Sequence, residues 1–346
     1  MEFGIYSFVD HGPDPRTGST ITQEQRYAYL LEEIELADRL GLHHFGIGEH
    51  HRADFIASAP AVVLAAAAAR TERIRLSSAV TVLSSEDPVR VFQQFATLDL
   101  LSKGRAEIMA GRGSFTESFP LFGYDLQDYD SLFADNLELL LELRKHTRIS
   151  WQGRHRGPID DREVQPRPVQ DPLPVWLAVG GTPASMVRAA DLGLPVMLAI
   201  IGGQPDRFQA FTDLYRQAWQ QAGRDPAALQ LGIGSHGFIA DSFEEAAELT
   251  WPAYAQSMGR IGKERGWGPV DRRQFDFEIS PEGAMILGDP ETAAKKIIRQ
   301  QKWSGFTRYA LQFTVGTMPH DRVLRCIELY ATEVVPRVER AIAKGA

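Results

Sequence analysis

Strand-like and helix-like apolar segments alternate along the whole chain, and this alternation limits the folds open to it. Eight segments predict strands: 2–8, 43–48, 74–83, 105–110, 174–179, 196–201, 229–239 and 307–313. Helical spacing follows each of them: 23–40, 59–70, 89–101, 131–145, 183–192, 207–222, a helix from residue 243, and 321–343 with a break near Pro336. Because a helix follows every strand, the strands are expected to be parallel. Eight such units predict a (β/α)8 TIM barrel, with a doubly wound open sheet as the alternative.

The 346 residues suit one barrel domain, 1–346, with an insertion between the seventh and eighth strands. The predicted insertion, 251–288, is rich in Gly, Arg and aromatic residues. A lid over the substrate side, a solvated insertion and a dimer surface are the three interpretations of this segment.

Composition narrows the classes of partner. The net charge of −8 without a basic block argues against nucleic acid. The longest apolar run, 59–69, is too short to span a bilayer, and no leader pattern precedes the first strand. The single cysteine, Cys326, excludes an internal disulfide and fits a cytoplasmic location. We expect Cys326 to be a buried helix residue and not a reactive thiol.

An acid and two imidazoles, Glu49-His50-His51, follow the second predicted strand. Active sites of parallel α/β folds lie at the C-terminal ends of strands, and imidazole can move protons near neutral pH. Adjacent side chains on a strand point to opposite faces, so the two histidines are poorly placed to share a metal ion, and no metal site is predicted. A catalytic or cofactor-facing role and a structural hydrogen bond at the barrel rim are the remaining alternatives.

Two further strand ends carry groups suited to an anion. In Gly111-Arg112-Gly113, glycines permit close backbone approach and the guanidinium suits a phosphate. In the segment 180–185, Thr182 is a natural N-cap before a helix whose N-terminus favours an anion. The segment 202–205 after the sixth strand is a rival, although it has no hydroxyl at the capping position.

The segment 232–237 matches G-x-G-x-x-G but lies inside an apolar run. A dinucleotide-binding loop requires this pattern between a strand and a helix. We therefore interpret it as part of a strand, and the nicotinamide-binding Rossmann hypothesis is dropped with it.

Taken together, the motifs resemble those of the bacterial-luciferase-like flavin-dependent monooxygenases. In chain order they are Glu49-His50-His51, Ser58-Ala59-Pro60, Pro88-Val89-Arg90, Leu98-Asp99-Leu100-Leu101-Ser102-Lys103-Gly104-Arg105, Gly111-Arg112-Gly113, Gly180-Gly181-Thr182-Pro183 and Gly288-Asp289-Pro290-Glu291. The resemblance runs from residue 3 to about residue 336. It implies a (β/α)8 barrel, FMN as the ligand and usually a homodimer.

The resemblance also implies roles for individual residues. The implied cofactor-binding residues are Ala79, Val80, Arg112, Gly113, Gly181, Thr182, Ser185 and Ile200. Of these, Arg112, Gly181, Thr182 and Ser185 would hold the FMN phosphate. The flavin ring would lie against Ala79-Val80, where relatives often carry a cis peptide. The implied catalytic residues are His50 and Glu49, close to the ring.

Two positions depart from luciferase itself. Gly111 stands where luciferase has a reactive cysteine, and Ile200 stands where it has a tryptophan against the ring. Light emission from a long-chain aldehyde is therefore not expected.

These features predict an FMN-dependent oxidoreductase, most specifically a monooxygenase that uses reduced flavin and O2 on a small organic substrate. NAD(P)H would supply electrons directly or through a separate flavin reductase, and the lack of a nucleotide loop favours the reductase. A deazaflavin-dependent hydride-transfer enzyme of the same fold, a non-catalytic flavin-binding protein and a metal-dependent barrel hydrolase are the alternatives.

Overall fold

A computed structural model describes residues 1–345 and contains a closed parallel barrel. The strands are β1 Glu2–Ser7, β2 His44–Ile47, β3 Arg75–Ser78, β4 Thr81–Val82, β5 Ala106–Gly111, β6 Arg148–Trp151, β7 Ile159–Glu163, β8 Val175–Val179, β9 Val196–Ile200, β10 Leu231–Ile239, β11 Ile286–Gly288 and β12 Arg308–Gln312. The barrel order is β1-β2-β3-β5-β8-β9-β10-β12, and β12 pairs back with β1. This confirms the predicted (β/α)8 barrel and its count of eight strands.

Helices surround the barrel. They are α1 Gln23–Arg39, α2 Pro60–Ala68, α3 Pro88–Ser102, α4 Ser118–Phe122, α5 Tyr129–Lys145, α6 Pro183–Leu192, α7 Gln209–Gln221, α8 Phe243–Arg265, α9 Arg272–Ile279, α10 Pro290–Ser304, α11 His320–Leu329 and α12 Val335–Ala343. A π-helical turn over Tyr330–Val334 separates α11 from α12, which confirms the predicted break near Pro336. Among residues 1–345, no helix combines the length and apolar character needed to cross a membrane.

Several elements differ from the sequence prediction. The third predicted strand, 74–83, is divided into β3 and β4, and the Ala79–Val80 peptide bond between them is cis. The antiparallel pair β6–β7 was not predicted, because its strands are short and mostly exposed and so lack an apolar pattern. The segment 232–237 lies within β10, which confirms that it is not a dinucleotide loop.

The segment predicted as an insertion consists of regular structure. Residue 251 falls inside α8, which continues to Arg265 and is followed by α9 and the short strand β11. Strand β11 pairs with the end of β10 outside the closed barrel. Phe275 of α9 is buried and packs against Trp251 and Tyr254 of α8. The two helices therefore pack as one layer on the barrel.

The N-terminal end of the barrel interior holds a network of buried ion pairs. Arg308 on β12 donates to Glu107 on β5 at 2.6 and 3.1 Å, and Arg75 on β3 reaches the same carboxylate at 2.8 Å. Burial raises the pKa of Glu107, but the two guanidinium groups outweigh it and hold the pKa below its usual range. These groups fill the N-terminal end of the barrel, so open space is confined to the C-terminal end.

A second layer of inward-facing side chains closes the barrel above this network. It consists of Tyr6, Ala79, Met109, Trp176, Met197 and Ala310. Since side chains alternate along a strand, the next inward position on each strand faces the C-terminal mouth. This layer is therefore the floor of any site at the mouth.

Candidate active site

Small inward-facing residues line one side of the barrel mouth above the floor. Ala178, Ala199 and Gly234 follow Trp176, Met197 and Gly232 on the inner faces of β8, β9 and β10, and each keeps partial exposure. Inward positions of a barrel this size are ordinarily filled by side chains. The small residues therefore leave an open basin over an apolar floor.

His50 lies buried at the edge of this mouth, after β2. Its Nδ1–H donates to Glu117 Oε1 at 3.3 Å, and its backbone N–H donates to the Ala57 carbonyl at 3.0 Å. The rings of Phe8, Phe55 and Phe115 surround the imidazole, with centroid distances of 4.7, 4.9 and 5.1 Å.

This arrangement fixes both the position and the tautomer of the imidazole. With Nδ1 engaged by a carboxylate, Nε2 is the nitrogen left to exchange a proton with a ligand. Burial raises the pKa of Glu117, but the hydrogen bond from His50 and the backbone hydrogen bonds outweigh it and lower the pKa. Glu117 is therefore ionised and able to stabilise a protonated His50.

Both carboxylate oxygens of Glu49 accept hydrogen bonds from neighbouring protein groups. One carboxylate oxygen accepts from the backbone N–H of Val82 at 2.8 Å, and the other accepts from His51 Nε2 at 3.0 Å. The hydrogen bond from His51 to Glu49 raises the pKa of the His51 imidazole. Both histidines thus pair with carboxylates, but different ones, and Glu49 acts on the loop that carries β4.

Ala79 and Val80 connect β3 to β4. Ala79 belongs to the barrel floor and Val80 packs against it. A Cβ added at Gly111 would lie 2.8 Å from Val80 Cγ2. The glycine is therefore required by the close approach of Val80, and a cysteine at this place would displace it.

Gly181, Thr182 and Ser185 come together at the N-terminus of α6. Gly181 has φ +101°, and Thr182 occupies the N-cap position without making a side-chain capping hydrogen bond. Within residues 1–345 the Ser185 and Thr182 hydroxyls form no hydrogen bond, and Thr182 is exposed. A helix N-terminus with two free hydroxyls suits an anion.

The Arg112 guanidinium is bound at the start of α5 and not at the α6 N-terminus. It pairs with Asp130 of α5 and lies 5.4 Å from the Tyr129 ring centroid. Gly113 has φ +75°, a backbone conformation that favours glycine, and its carbonyl accepts a hydrogen bond from the Tyr129 hydroxyl. The structure thus joins Arg112 and Gly113 to the start of α5, and it shows no direct contact between Arg112 and the α6 hydroxyls.

Ile200 faces away from the barrel interior. Its side chain is 0% exposed and belongs to the core between strands and helices, because Met197 and Ala199 occupy the inward positions of β9. The following inward position is Ile201, which is 63% exposed. A contact between a ligand in the mouth and β9 would therefore be made by Ala199 or Ile201.

The rival anion site after β9 already has an anionic partner. Glu278 of α9 accepts from the Gly203 backbone N–H at 2.9 and 3.0 Å. A second anion would meet the Glu278 carboxylate, so the α6 N-terminus is the better candidate.

Several groups at or below the mouth were not predicted from the sequence. His236 Nδ1 is buried without a hydrogen-bond partner, as is Tyr6 Oη in the floor below the mouth, and Gln312 lies beside His236 in the register of β10 and β12. Glu117 and Phe115, which hold His50, lie in the loop after β5. The sequence signal for these residues is weak. The strand residues can be identified only when it is known which face of the strand turns inward, and Glu117 and Phe115 contact a histidine about 65 residues away in the chain. Within the described chain, no group of three or more His, Cys, Asp or Glu side chains is arranged to hold a metal ion.

The family model of luciferase-like monooxygenases matches residues 1–308. The chain belongs to the luciferase-like monooxygenase family. One relative is 4-hydroxyprotoasukamycin monooxygenase of Streptomyces nodosus subsp. asukaensis, which is 27% identical over 89% of this chain and 85% of the relative. Another is the oxygenase component of the flavin-dependent trigonelline monooxygenase of Acinetobacter baylyi, which is 26% identical over 71% of this chain and 67% of the relative.

The solved structure of monooxygenase RslO1 from Streptomyces bottropensis superposes with a TM-score of 0.82 at 27% identity, covering 97% of this chain and 99% of that one. Membership of this family makes the protein an oxygen-using oxidoreductase of the flavin-dependent monooxygenase class.

The barrel mouth fits the flavin on which this class depends. The basin above Met109, Trp176 and Met197 has the small lining that a flat ring system needs. The buried His50 imidazole and the Thr182 and Ser185 hydroxyls at the α6 N-terminus supply polar groups at its edge.

Proposed function

We propose that this luciferase-like monooxygenase binds FMN and uses the reduced flavin with O2 to oxygenate a small organic substrate. The observation that carries the proposal is the buried His50, held by Glu117 next to a basin lined by small residues. A deazaflavin-dependent hydride transfer on the same barrel remains the alternative, and the relative affinities for FMN and a deazaflavin separate the two.

In this proposal the α6 N-terminus holds the FMN phosphate through Gly181, Thr182 and Ser185. Arg112 adds a cation after leaving Asp130, whose carboxylate is largely exposed. Ala79, Val80 and the small residues of the basin contact the ring. When bound and reduced, the flavin supplies the electrons that activate O2, and the apolar floor excludes water from it.

His50 is proposed to transfer a proton at the flavin or at the oxygenated substrate through Nε2. Glu117 keeps Nδ1 protonated and stabilises the imidazolium, while the three phenylalanine rings limit access of bulk water. Glu49, predicted as a second catalytic residue, is proposed to act as a positioning residue through Val82 and His51.

We further propose that a separate reductase supplies the reduced flavin, with NAD(P)H as its electron donor. The support is the relative described as the oxygenase component of a trigonelline monooxygenase, together with the G-x-G-x-x-G segment lying inside β10.

The cofactor is tested by titrating the purified protein with FMN and, separately, with a 5-deazaflavin coenzyme while absorbance and fluorescence are recorded. We expect FMN to bind more tightly. NADH or NADPH alone should leave bound FMN oxidised, whereas addition of a flavin reductase should reduce it. Tighter deazaflavin binding would favour hydride transfer without oxygen.

The role of His50 is tested with a substrate found by screening small organic compounds with the reductase, NADH and O2, using mass spectrometry to detect oxygen insertion. His50→Ala should retain FMN and lose about a hundred- to ten-thousandfold in turnover, the range for a positioned acid–base group. His51→Ala is the matched control and should lose far less. Full turnover by the His50 variant would contradict the proton-transfer role.

A further inference from the structure

A second imidazole faces the barrel mouth from β10. Gly232, Gly234 and His236 occupy alternate positions of that strand. A Cβ added at Gly232 would lie 2.6 Å from Met197 Cε, and one at Gly234 would lie 3.6 Å from Tyr6 Cε2. Since Met197 and Tyr6 belong to the barrel floor, this face of β10 is the inner one, and His236 lies on it above the floor.

The imidazole of His236 has unused hydrogen-bonding capacity. Its Nδ1 is buried and has no partner, although the residue keeps partial exposure toward the mouth. An unpaired buried polar atom is unfavourable, and such atoms are rare in folded proteins unless a ligand or water completes them. Burial lowers the pKa of His236 to about 4, so the ring is neutral near pH 7 and has one donor and one acceptor nitrogen.

Gln312 on β12 lies next to His236 in the parallel register. Arg308 and Ala310 of the same strand face the interior, so Gln312 shares their orientation. Its amide nitrogen donates to the Thr314 carbonyl at 3.0 Å, whereas its amide oxygen accepts no hydrogen bond within residues 1–345. The two side chains thus form an uncharged polar pair.

This pair borders the basin assigned to the flavin ring, because Gly234 lies two residues before His236 on the inner face of β10, but it lies apart from the proposed phosphate site and from His50. In the barrel order, β12 and β1 separate β10 from β2, which leads to His50, while the proposed phosphate site follows β8. The flanking inward positions, Phe8 after β1 and Ile201 after β9, are apolar and partly or largely exposed. The sector therefore offers apolar walls with one neutral polar end.

The arginines that approach this end of the barrel already have partners. Arg52 donates to Glu264 at 2.7 and 2.8 Å and to Asp54 at 2.9 Å, and Arg260 pairs with Asp54 at 3.1 Å. Arg265 donates to the Ser114 carbonyl at 2.7 Å. A carboxylate or sulfonate entering the sector would therefore find no unpaired guanidinium among these three.

We propose that His236 and Gln312 anchor the organic substrate and select an uncharged molecule that carries a hydroxyl or carbonyl group on an apolar skeleton. The inference rests on the proposed function, because it takes the remaining part of the mouth to be the FMN site. A hydroxyl or carbonyl matches the donor and acceptor atoms of the pair, whereas a charged group would lose hydration without gaining a counter-ion.

The test uses phenol as the neutral probe and benzoate as its anionic counterpart. Calorimetric titrations compare the wild-type protein with His236→Leu and His236→Asn, each with and without FMN. His146→Leu, which alters an exposed histidine on the loop after α5, is the matched control. FMN affinity is measured for every variant in the same series.

We expect wild type to bind phenol more tightly than benzoate. His236→Leu should weaken phenol binding about tenfold, the scale of losing a hydrogen bond at a buried site, and His236→Asn should recover part of the loss. FMN affinity should change by less than about twofold, because His236 is not among the groups assigned to FMN.

The inference would be overturned if His236→Leu bound phenol as tightly as wild type, or if wild type bound benzoate more tightly than phenol. It would also be overturned if wild type bound no phenol with or without FMN, or if His236→Leu lost phenol and FMN affinity equally. Failure of wild type to bind FMN would instead overturn the proposed function, and the titrations of FMN-free protein would still test the His236–phenol contact.

Discussion

At the scale of single residues, the carboxylates near the mouth differ in whether neighbouring groups donate hydrogen bonds to them. The carboxylates of Glu49 and Glu117 accept hydrogen bonds, whereas the half-buried carboxylate of Glu86 accepts none within the described residues. Burial, followed by repulsion from Glu49, raises the pKa of Glu86 to about 7. Ionisation of Glu86 therefore disfavours the folded state.

Replacing Glu86 should change the dependence of stability on pH. A carboxyl whose pKa is raised on folding contributes stability below its unfolded pKa of 4.5 and loses that contribution as pH rises through about 7. Glu86→Gln cannot ionise, so it should exceed wild type by about 1–3 kcal/mol at pH 8 and match it near pH 4. Chemical denaturation across this range measures the difference, with Glu142→Gln on the surface as the control. A constant difference at all pH values would contradict the prediction.

Arg112 illustrates competition between a neighbouring residue and a ligand. If Arg112 binds the FMN phosphate, Arg112→Ala should weaken FMN binding by about 1.5–3 kcal/mol, the scale of a hydrogen bond to a charged group. Asp130→Asn should leave binding unchanged or strengthen it by less than about 1 kcal/mol, because an exposed ion pair stabilises little. Fluorescence titration checks both. Equal weakening by the two changes would indicate that the ion pair itself maintains the site.

At the scale of elements, the end of α8 contacts the loop that covers His50. Arg265 donates to the Ser114 carbonyl and stacks 4.8 Å from the Phe115 ring centroid, and Arg52 stacks on the same ring at 4.8 Å. Phe115 in turn contacts His50. At the other side of the mouth, Glu278 of α9 holds Gly203. The α8–α9 layer therefore bridges two sides of the mouth, which favours the lid among the three interpretations of this segment.

Arg265→Ala should loosen the loop 112–117 without unfolding the barrel. Its loss removes one hydrogen bond and one cation–π contact, which together stabilise the loop by about 1–2 kcal/mol. Hydrogen exchange followed by mass spectrometry should show roughly tenfold faster exchange in this loop and an unchanged barrel core. Arg272→Ala, which removes similar stacking on Trp251 and Phe275, is the control. Equal exchange rates in both variants would show that α8 does not restrain the loop.

At the scale of the whole molecule, neighbouring helices expose apolar side chains that the barrel does not cover. Val62 on α2 is 69% exposed, and Leu100 and Leu101 on α3 are 45% and 60% exposed. Exposed apolar side chains on packed helices are typical of subunit contacts, and this supports the homodimer that the sequence analysis predicts.

Light scattering should therefore give a dimer mass at micromolar concentration, and Leu101→Glu should shift it toward the monomer. Val187→Glu, at an exposed apolar position of α6, should not. A monomeric wild-type protein, or dissociation by both changes alike, would contradict this surface as the dimer contact.

The sequence by itself determined the barrel, its strand count and the strand ends that carry candidate polar groups. Alternating strands and helices are local patterns of hydrophobicity, and parallel strands place their C-terminal ends on one edge whatever the details of packing. That is why His50 and the cluster of Gly181, Thr182 and Ser185 could be singled out from local sequence, and why the segment 232–237 could be read as a strand.

Tertiary structure alone decided which side chains of those strands face the mouth and which partners they have. Ile200 and His236 lie on opposite faces of adjacent strands, and a shift of one residue in register would exchange them. The partners of His50 and Arg112, namely Glu117 and Asp130, come from other segments of the chain. Such contacts depend on closure of the barrel, which brings distant segments together, and no local pattern encodes them.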